Sequence, residues 1–169
     1  MVSARLRAIT LAGMFVGLVF VSKLYLSLTT PQFRMSFHDV PIFIAGMLLG
    51  PFFGAVVAFS ADIIYWLQSG FSFSFLLNLA DVFVGFMAGW FLYVKRHPIH
   101  PVRISLVVIT STLVAFTLST AQQYLWFNTG MFALLPWRFF VTVVKWPITI
   151  LVLLTVLPRI TPILYPEDH

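Results

Sequence analysis

Residues 37–68 read FHDVPIFIAGMLLGPFFGAVVAFSADIIYWLQ, and where that stretch is cut decides the fold. Only Gly50-Pro51 interrupts it. Glycine reaches backbone angles closed to other residues, while proline lacks an amide hydrogen and restricts the residue before it, so the pair ends one helix and begins another. Cut there, the stretch gives two helices; left whole, it is one kinked helix and everything downstream changes sides of the membrane. The basic residues favour the cut. With it, Arg5, Arg7, Lys95, Arg96, Arg103 and Arg159 all flank one set of helix ends, and the opposite side holds only Arg34 in a loop and Arg138 just inside the last helix. Without it they divide between the two faces. Because basic residues concentrate on the cytoplasmic side, the two-helix reading places both termini in the cytoplasm.

Working outward from that stretch, helices are expected at about 6–28, 37–50, 51–68, 72–94, 103–127 and 136–157. Pro31, Gly70, His97-Pro98 with Pro101, Asn128 to Gly130 and Pro136 bound them. Hydrophobic residues make up 60% of the 169, charged residues 9%, and the mean hydropathy is +1.00, a balance that excludes a water-soluble packed domain. A bilayer-crossing helix takes about 20 residues, so such helices fill residues 1–169 as a single membrane domain and leave no room for a soluble catalytic or nucleotide-binding unit. Arg5 and Arg7 before an apolar run resemble a signal peptide, but Lys23 interrupts the run and no small-residue cleavage site follows, so a retained first helix is expected. The fold class is all-α integral membrane: a six-transmembrane-helix bundle in the cell membrane.

The ionisable residues within the spans are few and one-sided. Up-and-down threading brings Lys23, Arg34, Asp39, Asp62, Asp81, Arg138 and Lys145, from five segments, towards the outer end, with Asn78 and the Gln122-Gln123 pair at comparable depth. The inner halves carry almost none. A charge at the bilayer centre costs roughly 2.5–3.5 kcal/mol, so these groups are expected to face the bundle interior. The result is an outward-facing polar pocket over an apolar floor, not a continuous pore. Four cations there against three acids imply a net positive pocket suited to an anionic ligand, with arginine gripping a carboxylate bidentately and lysine supplying a point charge. The bland counterpart is internal salt bridging of Lys23 and Lys145 to the acids. Of the 19 Phe, five Trp and five Tyr, most are expected against lipid or core, with Trp66, Trp126 and Trp137 in an interfacial belt and some able to line a slot for a flat ring.

Small residues four apart let membrane helices approach closely. Gly46, Gly50 and Gly54, and Gly85 with Gly89, fit internal packing. Ala8, Ala12, Gly13 and Gly17 on the first helix lie beside Arg5 and Arg7 at the cytoplasmic half and are candidates for docking a helix of another subunit.

Signatures of catalysis are missing: there is no GxxxxGK[ST] loop, HExxH helix or GxSxG elbow. With no cysteine, neither a thiolate nucleophile nor a cysteine metal site is possible. His38 and Asp39, adjacent on a helix, point apart and make a poor metal pair; His97 and His100 sit in a proline-rich loop. No catalytic residue, metal site or cofactor is expected. The net charge of +5 forms no solvated basic patch, so nucleic acid is not a partner.

The run Thr30-Pro31-Gln32-Phe33-Arg34-Met35-Ser36-Phe37, then Val40 to Pro51, Gly54 and Ala61-Asp62, resembles the substrate-binding S components of energy-coupling factor (ECF) transporters. Leu135-Pro136-Trp137-Arg138 and Lys145 are similar to the folate-binding type. The resemblance implies a six-helix bundle that captures a vitamin outside, docks on a transmembrane coupling subunit served by two ATPases, topples and releases its cargo inward. It implies docking through an alanine motif on the first helix, read here as Ala12-Gly13-Met14-Phe15-Val16-Gly17, with glycine in place of two alanines. For folate it implies that Arg34 and Arg138 meet carboxylates and that Asp62 or Asp81 hydrogen-bonds the pterin. An S component for pantothenate, a pyridine vitamin or a deazapurine precursor is the nearest alternative. A small intramembrane enzyme using Asp62 and Asp81 as an acid pair is the alternative of a different class.

Overall fold

The structure, a computed structural model, describes residues 4–29, 34–69, 75–94, 100–127 and 135–164. Among the described residues six helices and one short hairpin follow in order: α1 (Ala4–Tyr25), β1 (Ser27–Thr29), β2 (Arg34–Ser36), α2 (Asp39–Leu49), α3 (Pro51–Ser69), α4 (Phe75–Leu92), α5 (Pro101–Phe127) and α6 (Leu135–Leu164). Five of them, α1 and α3–α6, are long and apolar enough to cross a membrane. Large side chains such as Met14, Phe52, Leu67, Phe75, Trp90, Leu106 and Leu151 point outward. On a soluble protein that surface would aggregate; on a membrane protein it meets acyl chains.

The second element departs from expectation. At 11 residues α2 is about 16 Å long, half the hydrocarbon thickness, and residues Pro41–Leu48 are all buried. It is therefore an internal helix, packed on α1, α3, α4 and α6, rather than one facing lipid. Gly50-Pro51 is a reversal and not a kink. Gly50 adopts φ 92°, and Gly46 and Gly54, on opposite sides of it, come so close that a Cβ on Gly54 would stand 2.7 Å from the Gly46 Cα. In one continuous helix those residues would be about 12 Å apart.

Close approach is general at this crossing. A Cβ on Gly46 or on Gly54 would lie 2.5 Å from the Gly85 carbonyl oxygen, and one on Gly89 would lie 2.5 Å from the Pro51 Cα. The glycines of α2, α3 and α4 thus allow three backbones to touch, and any side chain there would force them apart. Around them Ile42, Phe43, Met47, Leu48, Val57, Val84, Ile104, Val108, Leu153 and Leu157 form the core.

Two boundaries also moved. The first helix ends at Tyr25 rather than near residue 28, because Leu26 and Phe37 bracket an antiparallel ladder with Ser27 opposite Ser36 and Thr29 opposite Arg34. The last helix runs on to Leu164 through Pro147, Pro158 and Pro162. Proline is tolerated inside membrane helices because neighbouring groups re-satisfy the freed carbonyls. On α5, Thr110, Ser111 and Thr112 return their hydroxyls to the carbonyl four residues back, so these polar side chains are satisfied within their own helix.

Candidate ligand site

Each helix that carries an interior charge carries it at the head of an apolar stripe. Lys23 continues the buried positions Ala12 and Val19 of α1; Asp62 follows Gly54, Ala58 and Ala61 of α3; Lys145 heads Thr149, Leu153 and Leu157, one turn apart on α6. On α4 the buried Asn78 and Ala88 frame Asp81 at helical spacing. These stripes place the polar heads at one end of the bundle and the greasy side chains below.

The heads join in one network. Lys23 Nζ donates to Asp62 Oδ1 and, at 2.6 Å, to Asp81 Oδ2. Asn78 Nδ2 donates to the other Asp62 oxygen at 3.1 Å. His38 Nε2 lies 3.0 Å from Asp81 Oδ2 and 3.3 Å from Asp39 Oδ1, and Lys145 Nζ reaches Asp39 Oδ2 at 2.5 Å. The chain Asn78–Asp62–Lys23–Asp81–His38–Asp39–Lys145 therefore ties α1, α2, α3, α4 and α6 together, spanning sequence separations up to 106 residues. Sequence reasoning named all of these except His38, which it took for part of a helix. His38 is the N-cap residue of α2, and its Nε2 reaches both Asp81 and Asp39.

The network is not cationic. Three carboxylates face two ammonium groups, so it carries one net negative charge with a neutral imidazole and none with an imidazolium. The lysines are committed to the aspartates, as the salt-bridging alternative expected, because unpaired charges are costly at membrane depth; of the other two cations in the expected count, Arg138 lies outside this network and the Arg34 side chain lies outside the described residues. One nitrogen of His38 and one oxygen each of Asp39 and Asp81 lie within 4.8 Å of one another, spacing a cation could use. Two of the carboxylate oxygens already accept from Lys23 and Lys145, so the group reads as an ion-pair network. Asp62 and Asp81, considered as an acid pair, are bridged by Lys23 rather than opposed to one another.

Arg138 stands apart from it. On α6 it is seven residues before Lys145, two turns or about 10 Å towards the outer end on the same helix face. Its guanidinium donates to Gln123 Oε1 and to Ser119 Oγ, the latter at 3.3 Å, and lies 5.7 Å from the Phe116 ring centroid. Among the described residues no carboxylate pairs with it. Lower on the same pair of helices, Trp146 Nε1 donates to Thr112 Oγ1 at 2.8 Å and fixes the register of α5 against α6. Arg34 belongs to β2, but its side chain lies outside the described residues, as do the Trp126 side chain and the whole of Thr30 to Phe33.

The candidate docking residues of α1 divide. Gly13 and Gly17 are exposed with open space around them, Ala8 is half-buried, and Ala12 packs in the core with 8% of its surface exposed. Trp137 at the start of α6 is half-exposed and stacks on Phe140 at 5.6 Å, as an interfacial ring pair would.

No curated protein matches the sequence. Among solved structures, the one described as "Crystal structure of FolT bound with folic acid" superimposes with a TM-score of 0.75 over 86% of this chain and 89% of that one, at 22% identity, and so shares the fold. The family model described as "ECF transporter, substrate-specific component" matches residues 7–161. With almost the whole length covered, the chain belongs to the substrate-specific components of ECF transporters.

Proposed function

We propose that this protein captures a vitamin of the folate class from outside the cell and delivers it inward after docking on an ATP-driven coupling module. The observation that carries the ligand is the pairing of stations on α6. Arg138, held by neutral acceptors and free of any described carboxylate, stands about 10 Å above the Lys145 end of the buried network. A long molecule with anionic carboxylates at one end and a flat polar ring at the other suits that spacing: the guanidinium takes a carboxylate at the mouth, and the ring reaches down towards Lys145, Asp39, Asp81 and Asn78. The fold shared with a protein crystallised with folic acid supports the same choice.

In this proposal the six helices form an outward-open bundle with both termini cytoplasmic. Arg7, Arg103 and Arg159 sit at the helix ends opposite the network, which supports that orientation by the positive-inside rule. Arg34, from the hairpin over the mouth, joins Arg138 on the carboxylates. Gly13 and Gly17, with Ala8 beside them, accept a helix of the coupling subunit, and two ATPases drive release. The protein binds and hands over its ligand without altering it.

Calorimetry of the purified protein with folic acid, without nucleotide, tests the reading. Saturable one-to-one binding is expected. Absence of heat and of any competition at high folic acid would reject folate as the ligand.

A further inference from the structure

The buried network divides at His38. On one side Lys145 of α6 pairs with Asp39 of α2, and the two charges cancel. On the other, Lys23 of α1 serves both Asp62 of α3 and Asp81 of α4, which leaves one negative charge over beside the neutral Asn78 amide. His38 Nε2 sits at the join, 3.0 Å from Asp81 Oδ2 and 3.3 Å from Asp39 Oδ1. The charged groups gathered around it from the described residues are thus Lys23, Asp39, Asp62, Asp81 and Lys145. Arg138 stands about 10 Å beyond Lys145 on α6, and the Arg34 side chain lies outside the described residues. Histidine is the side chain whose ordinary titration falls between about pH 5 and 8, and His38 is the one imidazole in this network. Its side chain is 18% exposed, at the N-cap of α2, so it can exchange a proton with water.

We infer that His38 is a proton site coupled to ligand capture: the imidazole takes up one proton from the external medium as an anionic ligand closes over the network. Between two carboxylates Nε2 must carry hydrogen, so the incoming proton goes to Nδ1 and the ring becomes imidazolium. While water reaches the network, its surplus negative charge is hydrated. A flat ring laid over it removes that water, and the ligand's carboxylates add more negative charge nearby. A buried charge left without a counter-charge is costly, and a proton on His38 brings the network to zero. Coupling of this kind is reciprocal, so the proton favours the ligand as much as the ligand favours the proton. The inference rests on the proposed function and deepens it, because it makes the captured species an anion together with a proton.

Calorimetry with folic acid tests this, run in two buffers of different ionisation heat so that the protons taken up on binding are counted. The window from about pH 5.5 to about pH 7.5 brackets the ordinary histidine range while the glutamate carboxylates of the probe stay ionised. Wild type is expected to take up about one proton per folic acid at the upper end and to bind about tenfold more tightly at the lower end. His38→Gln keeps an amide donor but cannot titrate in this window. It is expected to take up no proton and to bind equally at both pH values, whatever its absolute affinity. His38→Asn is the second variant should the glutamine protein fail to fold, and the proton count of the wild type needs neither. Folic acid binding by the wild type without proton uptake overturns the inference and leaves the folate proposal standing, as does an uptake that survives in the variants. Absence of folic acid binding at both pH values overturns the two together.

Discussion

Removing Lys23 tests the network where it is most concentrated. Its side chain is 8% exposed and bonds two carboxylates that are themselves 11% and 16% exposed. In Lys23→Met the two aspartates keep only Asn78 Nδ2 and His38 Nε2 as partners. Breaking a buried pair by deleting one partner costs about 3–5 kcal/mol, because the remaining charge stays desolvated without compensation. Here one deletion takes the lysine from two acids at once, so Lys23→Met is expected to lose about 3–5 kcal/mol in reversible unfolding by SDS in mixed micelles. Adding Asp62→Asn and Asp81→Asn removes the stranded charges, and the triple variant should recover to within about 1–2 kcal/mol of wild type, since neutral replacement of an entire buried ion network is often tolerated. Strong non-additivity is the signature. A Lys23→Met protein as stable as wild type, or a triple variant with the three losses simply summed, would refute the account of the network as mutually neutralising.

Three further outcomes follow from other parts of the molecule. Gly54→Val should abolish folding, because even its Cβ would meet the Gly85 carbonyl oxygen at 2.5 Å, whereas Gly13→Ala, with nothing within 4 Å, should leave the melting temperature unchanged; expression with monodisperse gel filtration distinguishes them. Arg138→Ala should weaken folic acid binding by about 1.5–3 kcal/mol, the worth of a charged hydrogen bond, as read by calorimetry. Gly17→Leu should abolish vitamin uptake in cells carrying the complete transporter while folic acid affinity of the purified protein is retained; a loss of affinity with uptake machinery still assembled would show that this face belongs to the ligand site.

The long helices and the gathering of polar groups were legible because charges inside apolar runs are so few that each must be buried and paired. Lys23, Asp39, Asp62, Asn78, Asp81 and Lys145 converge for that reason. Which lysine meets which aspartate was not legible, since helix rotation and depth decide it and both depend on tertiary packing. A count of charges by depth likewise cannot register that Lys23 serves two acids at once. His38 was missed because its adjacency to Asp39 was taken to point the two apart, whereas its Nε2 reaches both Asp39 and Asp81. The second helix lies within its expected bounds of 37–50 but is too short to span, and the hairpin before it leaves little trace in hydropathy. The last helix was expected to end near residue 157 and instead continues through Pro158 and Pro162, which a membrane bundle accommodates. The glycines at the crossing of α2, α3 and α4 were read correctly as packing residues, because spacing of four on a membrane helix has a direct geometric meaning.

The orientation of the bundle is the premise on which capture from outside depends, and the absence of cysteine makes it directly measurable. Single cysteines at Leu26, exposed beside the hairpin, and at His100, exposed before α5, mark the two ends. In intact cells a membrane-impermeant maleimide should label Leu26→Cys at once and His100→Cys only after permeabilisation. Labelling of His100→Cys from outside, with Leu26→Cys protected until the cells are opened, would contradict the account.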